Sequence, residues 1–203
     1  MSLNQPLSRR ELVRVVGTLL GGATLVGGSG LLAAAEKLRP LAGPAVGEFT
    51  AADIELLDEI AETILPSTTT PGARAARTGA FMALMVTDGY RPPEQRVFRD
   101  GMREVDAATL RAHGVTFMAA TPVQRLAVLT VLDREQKRVM EARDSAAAGE
   151  PAHFFRMMKE LALLGYFTSE IGATQALRYV ETPGRFDPCV PYQAGEPAWA
   201  EHS

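Results

Sequence analysis

The sequence predicts an all-α protein in which about six helices form a single helical domain, followed by an extended, irregular C-terminal tail. Three observations support this fold class. Apolar residues recur every three or four positions along most of the chain after residue 48, as one side of an α-helix requires. Helix-start and helix-stop residues bracket these stretches. No segment alternates apolar and polar residues in the way that predicts a half-buried strand.

Residues 1–35 are predicted to be an export signal of the twin-arginine type. Arg9 and Arg10 precede an uncharged run, residues 15–35, that ends in three alanines suited to a signal peptidase. Six glycines keep this run weakly hydrophobic. A permanent membrane anchor is the alternative, because about 20 apolar residues can span a bilayer. The signal predicts recognition by the twin-arginine translocase and a periplasmic location.

The rest of the chain is predicted to contain a linker and one domain. Residues 36–47 are rich in Pro, Gly and Ala and form the linker, and residues 48–203 form the helical domain, with its tail from about residue 181. Thr50 with Asp53, and Thr121 with Gln124, form capping boxes before the first and fourth helices. The predicted helices, the third of them stopped by Gly114, are 51–65, 73–87, 92–113, 122–147, 153–164 and 168–179.

Two of these helices carry predictions about what covers them. In the fourth, Leu126, Leu129, Leu132 and Val139 are expected to form the apolar side, and a charged surface follows them. The fifth is apolar around much of its circumference. This pattern predicts either a central position in the core or cover by another chain.

No residue is expected to bind a cofactor or a metal or to catalyse a reaction. The chain lacks the glycine-rich fingerprints of nucleotide sites, and one Cys with three scattered His cannot form a cysteine metal cluster. Asp58 and Glu62 are spaced to share a metal, but they are expected to lie on the wet face of the first helix. The net charge is −3, with +2 in residues 1–35 and therefore −5 in the rest, which argues against a nucleic-acid partner.

The C-terminal part carries the candidate interaction residues. Cys189 is the single cysteine and lies in a proline-rich segment, so in an exported protein it suggests an intermolecular disulfide. A buried, inert thiol is the alternative. Aromatic residues also cluster here, and either core packing or docking to a partner explains them. The candidate docking residues are Tyr166, Phe167, Phe186, Tyr192 and Trp199.

Several blocks of this sequence resemble the gluconate 2-dehydrogenase subunit 3 family. The specific ones are residues 164–168 (Leu-Gly-Tyr-Phe-Thr) and 184–189 (Gly-Arg-Phe-Asp-Pro-Cys). Residues 64–66 (Ile-Leu-Pro), 69–73 (Thr-Thr-Pro-Gly-Ala) and 155–161 (Phe-Arg-Met-Met-Lys-Glu-Leu) add to the resemblance. The twin-arginine signal ahead of these blocks also fits the family, and the resemblance itself covers roughly residues 48–200.

The resemblance implies a non-catalytic accessory subunit that forms a heterodimer with a large flavoprotein of the glucose-methanol-choline oxidoreductase type. That partner holds FAD and oxidises a sugar, a sugar acid or a glycoside, and a cytochrome c subunit commonly accepts the electrons. The small subunit carries the export signal, stabilises the large one and escorts it into the periplasm, where the complex can associate with the membrane. It also implies that Cys189 bridges to the large subunit. The alternatives are a membrane-anchored structural protein and a stand-alone redox protein with an unrecognised cofactor.

Overall fold

The computed structural model describes residues 46–143, 149–182, 184, 189, 191 and 193–200. The predicted signal with Arg9 and Arg10, and the first ten residues of the predicted linker, lie outside these ranges. The described part contains five α-helices, one π-helical turn and two short strands, so the predicted all-α class is confirmed. These elements are α1 (Ala51–Ile64), α2 (Thr78–Gly89), α3 (Pro92–His113), α4 (Pro122–Glu141), α5 (Phe154–Phe167), the π-turn (Gly172–Ala176), β1 (Arg178–Tyr179) and β2 (Trp199–Ala200).

Helix ends form where local sequence signals them. The Thr50 hydroxyl accepts a hydrogen bond from the Asp53 amide at 3.2 Å, and the Asp53 carboxylate accepts one from the Thr50 amide at 2.8 Å. Thr121 and Gln124 form the same reciprocal pair before α4. Gly114 ends α3 with φ 74°, a left-handed conformation that favours glycine. Both predicted capping boxes and the predicted stop are therefore confirmed.

Helix α5 occupies the centre of the bundle and packs against all four other α-helices. Its buried side chains include Phe155, Met158 and Leu161. Gly165 brings α5 close to α2, because a Cβ added there would lie only 2.5 Å from the ring of Phe81. The unusually apolar composition of this helix is thus explained largely by its central position.

Four predicted helices differ from the structure. The fourth was expected to reach about residue 147, but α4 ends at Glu141, and the fifth was expected to end at residue 164, but α5 continues to Phe167. The second was expected from residue 73, but Arg77 has φ 54°, and α2 begins only at Thr78. The last was expected over 168–179, but the chain forms the π-turn and then β1, which pairs in parallel with β2. The Arg178 amide donates to the Ala198 carbonyl oxygen at 2.8 Å. Since these partners lie 20 residues apart, a local pattern could not indicate the pairing.

The buried side of α4 also differs from the prediction. Leu129 and Leu132 are buried as expected, but Leu126 and Val139 are 57% and 40% exposed. Val128, together with Leu129 and Leu132, faces α1, α3 and α5. These three helices cover only one side of α4, so the remaining apolar residues stay in contact with solvent.

Carboxylates of α1 hold neighbouring segments instead of forming a wet face. Asp58 is half-buried and accepts a hydrogen bond from the Gly79 amide at 2.6 Å, and burial raises its pKa although this bond opposes the shift. Glu62 accepts hydrogen bonds from the amides of Ser67 and Arg74, both at 2.9 Å. The expectation of a solvated face was therefore wrong for these two residues, because the start of α2 packs against Asp58 and the loop after α1 folds back over Glu62.

Another carboxylate of α1, that of Glu59, is buried and forms ion pairs with Arg74 and Arg125. The Arg125 guanidinium also donates to the carbonyl oxygens of Phe117 and Met118 at 2.9 and 2.7 Å. This network joins α1, the loop after α1, the α3–α4 loop and the first turns of α4. It therefore fixes the position of α4 relative to α1.

Candidate partner-binding surface

Tyr166 lies in the core, in contrast to the docking role expected for it. Its side chain is 4% exposed, and its hydroxyl donates a hydrogen bond to the Pro71 carbonyl oxygen at 2.6 Å. Because a buried phenol needs such a partner, this contact ties α5 to the loop after α1. In this conformation Tyr166 is not available to another chain.

Phe167, the next residue, is exposed at the end of α5. Its side chain is 37% exposed and meets the ring of Tyr166 edge-on at 5.1 Å. Leu163 and Leu164, one turn earlier, are 36% and 46% exposed. The last turns of α5 therefore present apolar side chains to solvent on the side that faces away from the core.

The C-terminal elements continue this end of the molecule. The π-turn folds back against α5 so closely that a Cβ on Gly172 would collide with the Tyr166 carbonyl oxygen. Strand β1 follows the π-turn directly and pairs with β2, which carries the half-exposed Trp199. The Arg178 guanidinium lies 4.5 Å above the Trp199 ring. Leu163, Leu164, Phe167, Val180 and Trp199 are called the C-terminal surface below.

The tail between β1 and β2 contains the remaining candidates. Cys189 is exposed and has no disulfide partner within this chain. This position differs from the alternative of a thiol packed under the tail, and it leaves the sulfur open to another chain. Phe186 and Tyr192 lie outside the described residues, so their docking role stays a prediction.

The two described histidines lie at helix ends, and His202 lies outside the described residues. His153 caps α5, with its Nδ1 accepting a hydrogen bond from the Phe155 amide at 3.2 Å. Burial lowers the pKa of His153, and the charge of Glu135 partly opposes this shift. His113 lies at the last position of α3. Within the described residues, no three His, Cys, Asp or Glu side chains are grouped to hold a metal ion.

Charged residues line an open depression between the 46–49 turn and α3. Its volume is about 330 Å³. The charges in it are largely paired, since Arg99 binds Glu48 and Arg103 binds Asp100.

No described helix combines the length and the apolar content needed to cross a bilayer.

A second exposed apolar face was missed from the sequence. On α4, Val123, Leu126 and Val131 are 78%, 57% and 60% exposed. Together with Ala127 and Thr130, these residues recur three or four positions apart, and this spacing is the sequence signal of a stripe along one side of a helix. The prediction grouped Leu126 with Leu129 and Leu132 on one apolar side, whereas α4 carries two apolar sides and only one of them is buried.

This geometry defines a class of protein: a small helical protein with exposed apolar residues on the last turns of α5 and on the C-terminal strands. The sequence profile of the family Gluconate 2-dehydrogenase subunit 3 matches residues 51–184, and the chain belongs to this family. The family's name describes a subunit of a dehydrogenase complex. No curated protein and no solved structure matches the chain. The resemblance expected from the sequence is thereby confirmed.

Proposed function

We propose that this chain is a non-catalytic small subunit of a periplasmic, FAD-dependent dehydrogenase that acts on a sugar, a sugar acid or a glycoside. It binds and stabilises the large flavoprotein and escorts it through twin-arginine export. One observation carries the proposal: the family match spans residues 51–184 and so includes all five α-helices. FAD belongs to the large subunit, and a cytochrome c subunit receives the electrons.

The C-terminal surface supports a role in binding. Exposed large apolar residues grouped at one end of a small protein are typical of interaction sites. Phe167 and Trp199 supply aromatic anchors there, and tryptophan is prominent among residues that dominate interface energies. Cys189 lies in the tail between β1 and β2, and its exposed thiol is open to a cysteine of a bound partner. Docking of the flavoprotein at this end would cover the apolar residues and allow the disulfide.

The export signal supports a role as an escort. Arg9 and Arg10 precede the uncharged run that begins at residue 15, the pattern of the route that carries folded proteins. A flavoprotein binds its cofactor as it folds, so it must be exported in the folded state. A large subunit without its own signal can be exported by this route when it is bound to this chain. The proposal therefore predicts that the flavoprotein reaches the periplasm only with this chain.

Co-expression of this chain with the large flavoprotein tests the escort role. Periplasmic flavin and dehydrogenase activity are measured with the wild-type chain, without it, and with Arg9→Lys combined with Arg10→Lys. We expect both interventions to leave the periplasm without active flavoprotein, whereas Arg14→Lys, the matched control, has little effect. Full export of active flavoprotein without this chain would contradict the proposal.

Three further outcomes separate the alternatives. Visible absorbance or bound metal in the chain purified alone would identify a stand-alone redox protein. Retention in membranes after alkaline washing, without any flavin, would identify a membrane-anchored structural protein. For the disulfide, non-reducing electrophoresis should show a band of the combined mass that Cys189→Ser abolishes.

A further inference from the structure

Helix α4 carries an apolar stripe that no other part of the described chain covers. The α4 stripe consists of residues 123, 126, 127, 130 and 131, which recur at intervals of three and four and therefore share one side of the helix. Val123, with 78% of its surface exposed, and Leu126, with 57%, are among the most exposed large apolar residues in the described part of the chain. An uncovered stripe of this kind indicates a contact surface.

Charge is almost absent around this stripe. Between residues 114 and 132 the only charged side chain is Arg125, and it is 14% exposed because it points inward to Glu59. Met118, in the loop before α4, adds a further exposed apolar side chain. Depletion of charge distinguishes the centre of a protein interface from the rest of a protein surface.

The same side of α4 becomes basic in its second half. Arg134 and Arg138 follow Val131 at intervals of three and four residues, and both are exposed. Neither forms an ion pair with any described residue, whereas Lys137 pairs with Glu141. The side therefore offers apolar contacts at one end and two unpaired guanidinium groups at the other.

The contacts of Arg125 anchor the first turns of the stripe to the rest of the domain. Arg125 binds the buried Glu59 and the carbonyl oxygens of Phe117 and Met118, so the start of α4 and the loop before it are fixed to α1. A surface that is already ordered loses little conformational entropy on binding. This feature suits a stable complex better than a transient one.

The distribution of charge favours a different protein over a bilayer or a second copy. A helix lying in a bilayer surface is apolar along its whole length with cations on the opposite side, but here the two kinds of residue follow one another along the axis. In an antiparallel pair of α4 helices, Arg134 would meet the uncharged 114–121 loop of the second copy, and in a parallel pair it would meet another Arg134. Neither arrangement supplies the carboxylates that two guanidinium groups require.

We infer that the α4 stripe, with Arg134 and Arg138, is a second docking surface for the large flavoprotein subunit, on a part of it where an apolar patch borders acidic residues. This inference rests on the function proposed above. It adds contact area to the C-terminal surface, and a stable interface usually buries about 800 Å² per partner.

The test uses the co-expressed complex, isolated through a tag on this chain, with flavin per chain as the readout. Leu126→Asp should reduce the flavin that co-purifies at least tenfold, and Arg134→Glu combined with Arg138→Glu should reduce it severalfold. Val139→Asp is the matched control, because Val139 is an exposed valine of the same helix outside the stripe and should retain the flavin. Thermal unfolding of each variant chain confirms that it is folded.

The outcomes distinguish this inference from the proposed function. If the wild-type chain brings no flavoprotein with it, the proposed function fails. If the wild type retains flavin and Leu126→Asp retains as much as Val139→Asp, the α4 surface alone is rejected. Two results would overturn the inference. If the wild-type chain floats with phosphatidylglycerol vesicles and Leu126→Asp does not, the stripe binds lipid. If light scattering shows a dimer that Leu126→Asp abolishes, the stripe binds a second copy of the chain.

Discussion

Replacing Glu59 by glutamine tests the buried ion-pair network that positions α4. Glutamine keeps the shape of the side chain but removes the negative charge between Arg74 and Arg125. The Arg125 guanidinium, 14% exposed, would then be largely buried without a counter-charge. Removing one partner of a buried pair costs about 3–5 kcal/mol, and the residual exposure of Arg125 places this case near about 3 kcal/mol.

Arg74 contributes much less to this cost. Its side chain is 53% exposed, so solvent screens its attraction to Glu59 and the pair is worth at most about 1 kcal/mol. Arg74→Gln is therefore the matched control, since it removes the other ion pair of the same carboxylate. The expected ranking is a large loss of stability for Glu59→Gln and a small one for Arg74→Gln.

Urea unfolding of the purified chain, followed by far-UV circular dichroism, measures the difference. In thermal unfolding, about 3 kcal/mol corresponds to a lower Tm by about 6–12 °C for a domain of this size. If Glu59→Gln unfolds within about 0.5 kcal/mol of the wild type, or if Arg74→Gln costs as much, the reasoning from burial is refuted.

Three further predictions concern the helices that carry the surfaces. Because burial lowers the pKa of His153 in the folded chain, the unfolded chain binds a proton first as the pH falls, so stability should decrease below about pH 6.5. His153→Asn keeps an N-cap acceptor without titrating, and its Tm should fall less between pH 7.5 and 5; an identical fall would contradict this role. Tyr166→Phe should cost about 1 kcal/mol in urea unfolding, because the Pro71 carbonyl oxygen loses its donor. Gly79→Ala should lower the free energy of unfolding by about 1–3 kcal/mol, because the new Cβ meets the backbone of α1. Gly149→Ala, with open space around it, is the control and should change this free energy by less than about 0.5 kcal/mol. Equal losses for the two variants would contradict the close approach of α2 to α1.

Local signals in the sequence predicted the starts of α1 and α4 and the end of α3. The reciprocal bonds of Thr50 with Asp53, and of Thr121 with Gln124, join residues three positions apart, so the sequence contains both partners within one turn. The stop at Gly114 needs only one residue able to adopt a positive φ. Such features do not depend on what packs against the helix.

The candidate surface was only partly predictable. Tyr166 and Phe167 are adjacent aromatic residues, yet one is buried and the other is exposed, because they point in different directions from α5. Residue type and position in the sequence do not distinguish the two. Trp199 could be named as a candidate, but its place beside β1 depends on pairing with Arg178, a residue 21 positions away.

The sequence by itself determined the fold class, the family and most helix ends, since each of these depends on residue type and short spacing. Only the tertiary structure decided which apolar side of α4 is buried, and it assigned Leu129 to the core and Leu126 to solvent. Periodicity shows that a helix has an apolar side, but burial depends on which neighbours cover it. Glu59 follows the same rule, because its two arginine partners lie 15 and 66 residues away.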